Sequence, residues 1–337
     1  MNAPRNAHSS RSTVCCLIPA LTLFLAISPA LAQTCLTSDD MDEATRTALL
    51  TTAHRYFDMA AKGDVAGLRQ VAVPSVAADF GGIENAVKDN QTAFSKAQAT
   101  PRPPFLLKVE GNAPLPRAEF LCGVFGPSGQ TRNSAIFVLN GLPPGDYAVV
   151  IFDVATDSGP HTLSLILQQQ GNDWRLAGFY CKALEVEGHD ANWFAEHAAD
   201  FKAKGEMHNA WFYYLEAREL AVPVPFMSTL TTDQLYDQMQ KIRPADLPPA
   251  DLAAAGKTFK LTALFPTAVG NDLDVEVKYQ VADISNTQQT FQDNMALIKA
   301  LLAKYPELHN GFSAVIARAV DPSGHDFGSL LAMKDAK

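Results

Sequence analysis

Apolar positions at helical spacing open the chain. Leu49, Ala53, Tyr56 and Ala60 recur every three or four residues, and Gly63 supplies a stop. Thr37 or Ser38 reads as the N-cap of this helix, with Asp39, Asp40, Asp42 and Glu43 in a first turn where the helix dipole favours negative charge. A short helix follows Asp64, and another spans about Ile83 to Ala97, so residues 37–99 are predicted helical. From Phe105 to Ala183 the period shortens to that of strands, predicted at Phe105–Val109, Ala118–Phe125, Ser134–Leu139, Tyr147–Val154, Thr162–Gln168 and Trp174–Cys181. Gly-Pro-Ser-Gly at 126–129, Leu-Pro-Pro-Gly at 142–145, Asp-Ser-Gly-Pro at 157–160 and Gly-Asn-Asp at 171–173 separate them, and connections this short join antiparallel strands.

Residues 189–243 return to helical spacing, with a hairpin of two helices and a third helix over Thr232–Ile242. The second helix of the hairpin is apolar on more than one face, which requires either burial between two regions or an exposed aromatic patch. Pro244 to Pro249 reads as a linker. Beyond it the pattern is ββαββ. Leu273, Val275, Val277 and Tyr279 alternate with Asp272, Asp274, Glu276 and Lys278, and Phe291, Met295, Ile298, Leu302 and Tyr305 form a helical stripe. The predicted class is α+β, with N-terminal helices packed in a curved antiparallel sheet, a helical hairpin, and a C-terminal ββαββ sandwich whose helix covers one face of an antiparallel sheet. The expected divisions are 1–32, 33–185, 186–243, a linker at 244–256, and 257–337.

A helix ending in Tyr56-Phe57 before Gly63-Asp64, followed by more helices and a sheet closing with Gly-Asn-Asp-Trp-Arg-Leu-Ala-Gly-Phe-Tyr at 171–180, resembles the nuclear-transport-factor-2-like, or cystatin-like, cone over residues 37–183. That resemblance implies a concave pocket at the open end of the cone, in a fold shared by isomerases, dehydratases, carriers and adaptors. A rival lies in Gly123-x-Phe125, Phe137-Val138-Leu139 and Leu142 to Tyr147, which resemble the strands of prealbumin-like surface modules; the N-terminal helices fit that rival poorly. Phe194, Ala198, Phe201, Gly205, Ala210, Tyr214 and Ala217 resemble one tetratricopeptide helix pair, within 190–223. A single unit is too few to stack, so the hairpin is expected to pack on the sheet or on the C-terminal region. No family resemblance marks residues 257–337.

Composition narrows the function. Of 337 residues, 36 are acidic and 27 basic, a formal net charge of −9 that offers no field for nucleic acid. Residues 1–32 read as a signal peptide: Arg5 and Arg11 precede the apolar run Cys15–Ile27, and Ala30-Leu31-Ala32 fits cleavage after Ala32. The run is short of the about 20 apolar residues a span needs. Cleavage leaves a net charge of −11, no expected membrane span, and a secreted or periplasmic location. The mature chain keeps Cys35, Cys122 and Cys181. Cys122 with Cys181 is the preferred disulfide, and pairing of Cys35 with either stays open.

Motifs for a hydrolase elbow, a zinc protease, a phosphate loop or a dinucleotide site are absent from the sequence, and no cofactor or metal is expected. Asp272, Asp274 and Glu276 lack the glycine of a calcium loop and read as a solvated strand face. His325-Asp326 reads as turn chemistry, and His197, between Phe194 and Phe201, as a core histidine near His189-Asp190, Glu196 and His208. The candidate ligand- or partner-binding residues are Trp193, Trp211, Phe212 and Tyr213 of the hairpin, with His161 and Asp153 as the titratable residues of the cone strands. The expected role is non-enzymatic binding of a small apolar ligand or an envelope protein. The alternatives are cone-type acid/base catalysis on a small organic molecule, or a structural envelope component.

Overall fold

The computed structural model describes residues 33–336; the expected leader and its cleavage position lie outside the described residues. A strand β1 (Gln33–Leu36) precedes helices α1 (Glu43–Ala61), α2 (Val65–Val71), α3 (Pro74–Ala78) and α4 (Gly81–Phe94). The first helix starts later than Thr37 or Ser38 because two aspartates divide the work. Asp40 accepts the Thr37 amide and hydroxyl in a local turn, and Asp42 is the N-cap, accepting the Thr45 amide at 2.8 Å.

Then come β2 (Gln98–Pro101), β3 (Phe105–Val109), β4 (Leu115–Gly126), β5 (Gly129–Leu142), β6 (Gly145–Thr156), β7 (Gly159–Gln170) and β8 (Asp173–Ala183). All six predicted strands are present, most of them longer than predicted. Both β2 and β3 pair with β6, so they act as one long strand broken at Pro103-Pro104, where the ladder has no donors. The main sheet runs β1-β3-β6-β7-β8.

The expectation of one curved sheet is corrected at β4 and β5. This hairpin leaves the main sheet and forms a second sheet with β9 (Met227–Thr229). Strand β4 is bent by a bulge between Gly123 and Phe125; Gly123 has φ +83, and a Cβ there would sit 2.0 Å from the Asn133 carbonyl oxygen. The main sheet is therefore covered on both faces. Leu106, Val150, Phe152, Leu163 and Leu165 face the helices, whereas Leu107, Val149, Ile151 and Ile166 face the second sheet. Central strands buried on both faces read as continuous apolar runs, as Tyr147–Phe152 does.

That double covering also corrects the cysteines. Cys122 lies between the two sheets while Cys181 packs toward the helices, so the main sheet stands between them. The disulfide is Cys35–Cys122, joining β1 to β4 across the sandwich, and Cys181 is free.

The C-terminal half comprises α5 (Ala191–Lys204), α6 (Met207–Ala221), α7 (Leu230–Gln240), β10 (Ala250–Ala254), β11 (Lys257–Val269), β12 (Asp272–Gln280), α8 (Thr287–Lys304), β13 (Ala314–Val320) and β14 (Asp326–Ala332). Asp190 caps α5, and Gly205 ends it in the left-handed conformation, φ +83. The hairpin is not a free repeat: Phe194, Phe212 and Tyr213 share a core with Val275, Val277, Leu297 and Leu301. This is why α6 is apolar nearly all round. It is packed among α5, α7 and β11.

Three expectations for this half change. Strand β10 occupies part of the expected linker. The sheet β10-β11-β12-β13-β14 is not wholly antiparallel, because α8 is a crossover that sets β13 parallel to β12. The polar side of β12 is also not solvated. Asp274 and Glu276 are 2% and 6% exposed, and Glu276 lies under Arg318 and Lys278 at 3.0 and 3.5 Å. Central position in a five-stranded sheet, with a long side chain such as Arg318 laid over from the neighbouring strand, buries even the polar side of β12. No helix among the described residues is long and apolar enough to cross a membrane.

Candidate functional site

The interior of the N-terminal helix–sheet layer is filled. Tyr56, Phe57, Phe80, Phe94 and Phe152 are all 7% exposed or less, and the Tyr56 hydroxyl donates to the Trp174 carbonyl at 2.7 Å. Concavity lies instead at the end of this layer, where the first half of α1 faces the β7–β8 turn. Two grooves of about 730 and 500 Å³ meet there and share Ala44, Ala48, Asn172 and Trp174.

The floor follows from the α1 sequence. Ala44, Thr47, Ala48 and Thr51 are exposed on the helix face opposite Leu49, Ala53 and Tyr56, and the small Ala side chains leave the depression. Met41 and Leu106 give the second groove an apolar patch. The rim is acidic, with Asp40, Asp42, Glu43, Asp146 and Asp173 against Lys108 and Arg55. Hydrogen bonds from Thr37 and from Thr45 hold the Asp40 and Asp42 carboxyls below the usual carboxylate range, so both stay ionised at neutral pH. Lys108 pairs with Asp146 at 3.7 Å, leaving a net negative rim.

A second cluster of ionisable groups lies where β8 meets the end of α6. The Lys182 ammonium donates to the Glu219 carbonyl and lies 3.8 Å from the Glu219 carboxylate, capping the helix C-terminus with a cation. Glu216, one turn earlier and 5% exposed, is pushed up to about 7 by burial and by Glu219, with Lys182 opposing. Burial lowers Lys182. Across the strands Lys182 is in register with Thr162 and Thr162 with Asp153; the Thr162 hydroxyl is buried without a partner among the described residues.

The six binding residues expected from sequence do not converge. Phe212 is fully buried, and Tyr213 donates its hydroxyl to Gly311 at 2.8 Å. Trp193 is half-buried and stacked between His189 and His197, with ring centroids 3.7 and 3.6 Å away. Trp211 is half-buried, its indole N–H buried without a partner among the described residues. All four belong to the C-terminal core. His161 and Asp153 face opposite sides of the main sheet. His161 meets Phe94 edge-on among the helices, and Asp153 is an exposed partner of Arg102 at 2.6 Å. Among the described residues no group of three His, Cys, Asp or Glu side chains is placed to hold a metal ion.

The groove residues carry their own signal in the sequence. Thr47, Thr51 and Thr52 lie on a helix whose outward face would ordinarily carry Glu, Lys or Gln, and β-branched residues there cost helix stability without a packing return. Comparison with protein-family models, with curated proteins and with solved structures returns no match, so the groove is read on its own chemistry.

Proposed function

We propose that the chain is an exported, non-enzymatic binding protein of the cone type that engages another envelope protein through the groove over α1. The observation that carries this reading is the groove itself: an open concavity of small and hydroxyl-bearing side chains with a fixed acidic rim. Charge complementarity selects a partner segment carrying Lys or Arg. The filled interior speaks against a small apolar ligand inside the cone, and the Cys35–Cys122 disulfide fits an oxidising compartment. Photo-crosslinking from Thr51 in living cells tests it, with exposed Phe291 on α8 as control. A single envelope protein captured from Thr51, and lost when Asp42 and Asp146 are changed to Lys, is the expected result. Equal adducts from both positions, or none from Thr51, refute the reading.

A second reading, acid/base catalysis, is favoured by one observation, the buried Glu216 with a carboxyl near neutrality beside Lys182. It requires a turnover that Glu216→Gln abolishes.

A further inference from the structure

Strand β4 is an edge of its sheet, so N–H groups on its outer side have no neighbouring strand of that sheet to pair with. One of them is answered by a side chain: the Glu119 amide donates to Gln33 Oε1 at 2.6 Å. Gln33 opens β1, where it lies opposite Val109 of β3, and two residues later the Cys35–Cys122 bridge ties the same strand to β4. The carboxamide of Gln33 is thus used by the fold through its oxygen. Its nitrogen makes no hydrogen bond among the described residues.

The residue type matters because of where export leaves it. On the reading that the chain is exported and cut after Ala32, Gln33 becomes the N-terminal residue. An α-amine loses its proton at about pH 7.7–8.0, so a fraction of it is nucleophilic at neutral pH. The carbonyl carbon of its own side chain is within reach through a five-membered ring, and an intramolecular attack of this kind proceeds at a high effective concentration. The Glu119 N–H is directed at the oxygen on which negative charge develops as the amine adds.

We infer that Gln33 is a modification site, at which the freed amine closes on its own side chain to give an N-terminal pyroglutamate. The α-nitrogen forms a bond to Cδ, the Cδ–Nε2 bond breaks, and Nε2 leaves as ammonia with the proton that the amine gives up. No oxidant, nucleotide or other co-reactant is consumed. The group that departs is the unengaged nitrogen, and the carbonyl oxygen that answers Glu119 is retained in the ring. The end of β1 becomes uncharged and loses the free amine on which aminopeptidases act.

Mass analysis of the N-terminal peptide tests this, on the full oxidised chain made with its leader and exported by the cell. The expected peptide begins at residue 33 and is lighter by one ammonia than its sequence requires. Gln33→Glu, whose carboxylate is a far poorer electrophile, should keep its full mass and a free amine. The Glu119 amide should keep its hydrogen-exchange protection in the closed form and lose about tenfold of it in Gln33→Ala, the worth of one neutral hydrogen bond. A peptide that begins at Gln33 with full mass after prolonged incubation at neutral pH overturns the ring and leaves export standing. A peptide that begins at any other residue overturns the cleavage position, and the ring with it. Loss of Glu119 protection on closure overturns the retained bond to β4.

Discussion

Glu216 makes the pH dependence of this protein calculable. Its carboxyl is 5% exposed on α6 and is pushed from an ordinary 4.5 to about 7, chiefly by burial and then by Glu219, with Lys182 acting in the opposite sense. The folded protein thus binds a proton at Glu216 that the unfolded chain gives up about 2.5 pH units lower (7 − 4.5). Between pH 4.5 and 7 the native state holds more protons than the unfolded state, so the contribution of this group to stability falls as pH rises and is fully unfavourable above 7. At about 1.36 kcal/mol for each pH unit of displacement, the cost at pH 8 is on the order of 3 kcal/mol. Replacement by the isosteric, uncharged Gln removes the titration. It also leaves Lys182 its other partner, Glu219. Urea unfolding of the oxidised protein, followed by the fluorescence of Trp193 and Trp211 around the hairpin, should show Glu216→Gln more stable than the unaltered protein by about 2–3 kcal/mol at pH 8. The gap should close by pH 4.5. Parallel stability curves for the two proteins across this range, or a Gln variant that is weaker at pH 8, would refute the reasoning.

Removing the Cys35–Cys122 bridge by double Ser substitution opens a loop of 87 residues, and chain entropy puts the loss at roughly 4–5 kcal/mol, read as a fall in urea midpoint that added reductant reproduces in the unaltered protein. Phe152→Ala, at a fully buried ring touching His54 and Phe57, should cost about 3–5 kcal/mol in the same assay, whereas Phe291→Ala on the exposed face of α8 should change stability by less than about 0.5 kcal/mol. Burial pushes the Cys181 thiol up to about 12, so a thiol reagent at pH 8 should label it slowly in the folded protein and at once in urea.

The local period of the chain was enough to place elements but not layers. Tyr147–Val154 and Thr162–Gln168 are legible as strands because β-branched and aromatic residues run between turn residues, and that signal is indifferent to which sheet a strand joins. The departure of β4 and β5 from the main sheet is decided by long-range packing of Phe120, Phe137 and Cys122 against Val149 and Ile151, which no local window contains. The cysteine pairing failed for the same reason. Cys122 and Cys181 both lie in strands, and only the layer order shows that a sheet separates them. Along β12 the alternation was real, yet it implied solvent where the structure has Arg318 and Lys278 folded over Glu276. Alternation reports two different sides of a strand; whether the polar side is wet depends on neighbours that arrive from elsewhere in the chain.

The same distinction explains why the aromatic residues of the hairpin pack into or against the C-terminal core. Trp193, Phe212 and Tyr213 stand out in the sequence because they are large, and large apolar side chains are where a core recruits its area. Their density on α6 answers a packing need, since that helix meets α5, α7 and β11 together. Residues that shape an open groove are inconspicuous by the same logic: Ala44 and Ala48 make room by being small, and Thr47 and Thr51 stand out only against what a solvent-facing helix usually carries. Two short aspartate turns, Thr37–Asp40 and Asp42–Thr45, then fix negative charge at the groove mouth while starting the helix. On the proposed reading Asp42 serves both capping and recognition, so Asp42→Ala should weaken the start of α1 and the attraction of a basic partner together, whereas Asp146→Ala should affect the partner alone.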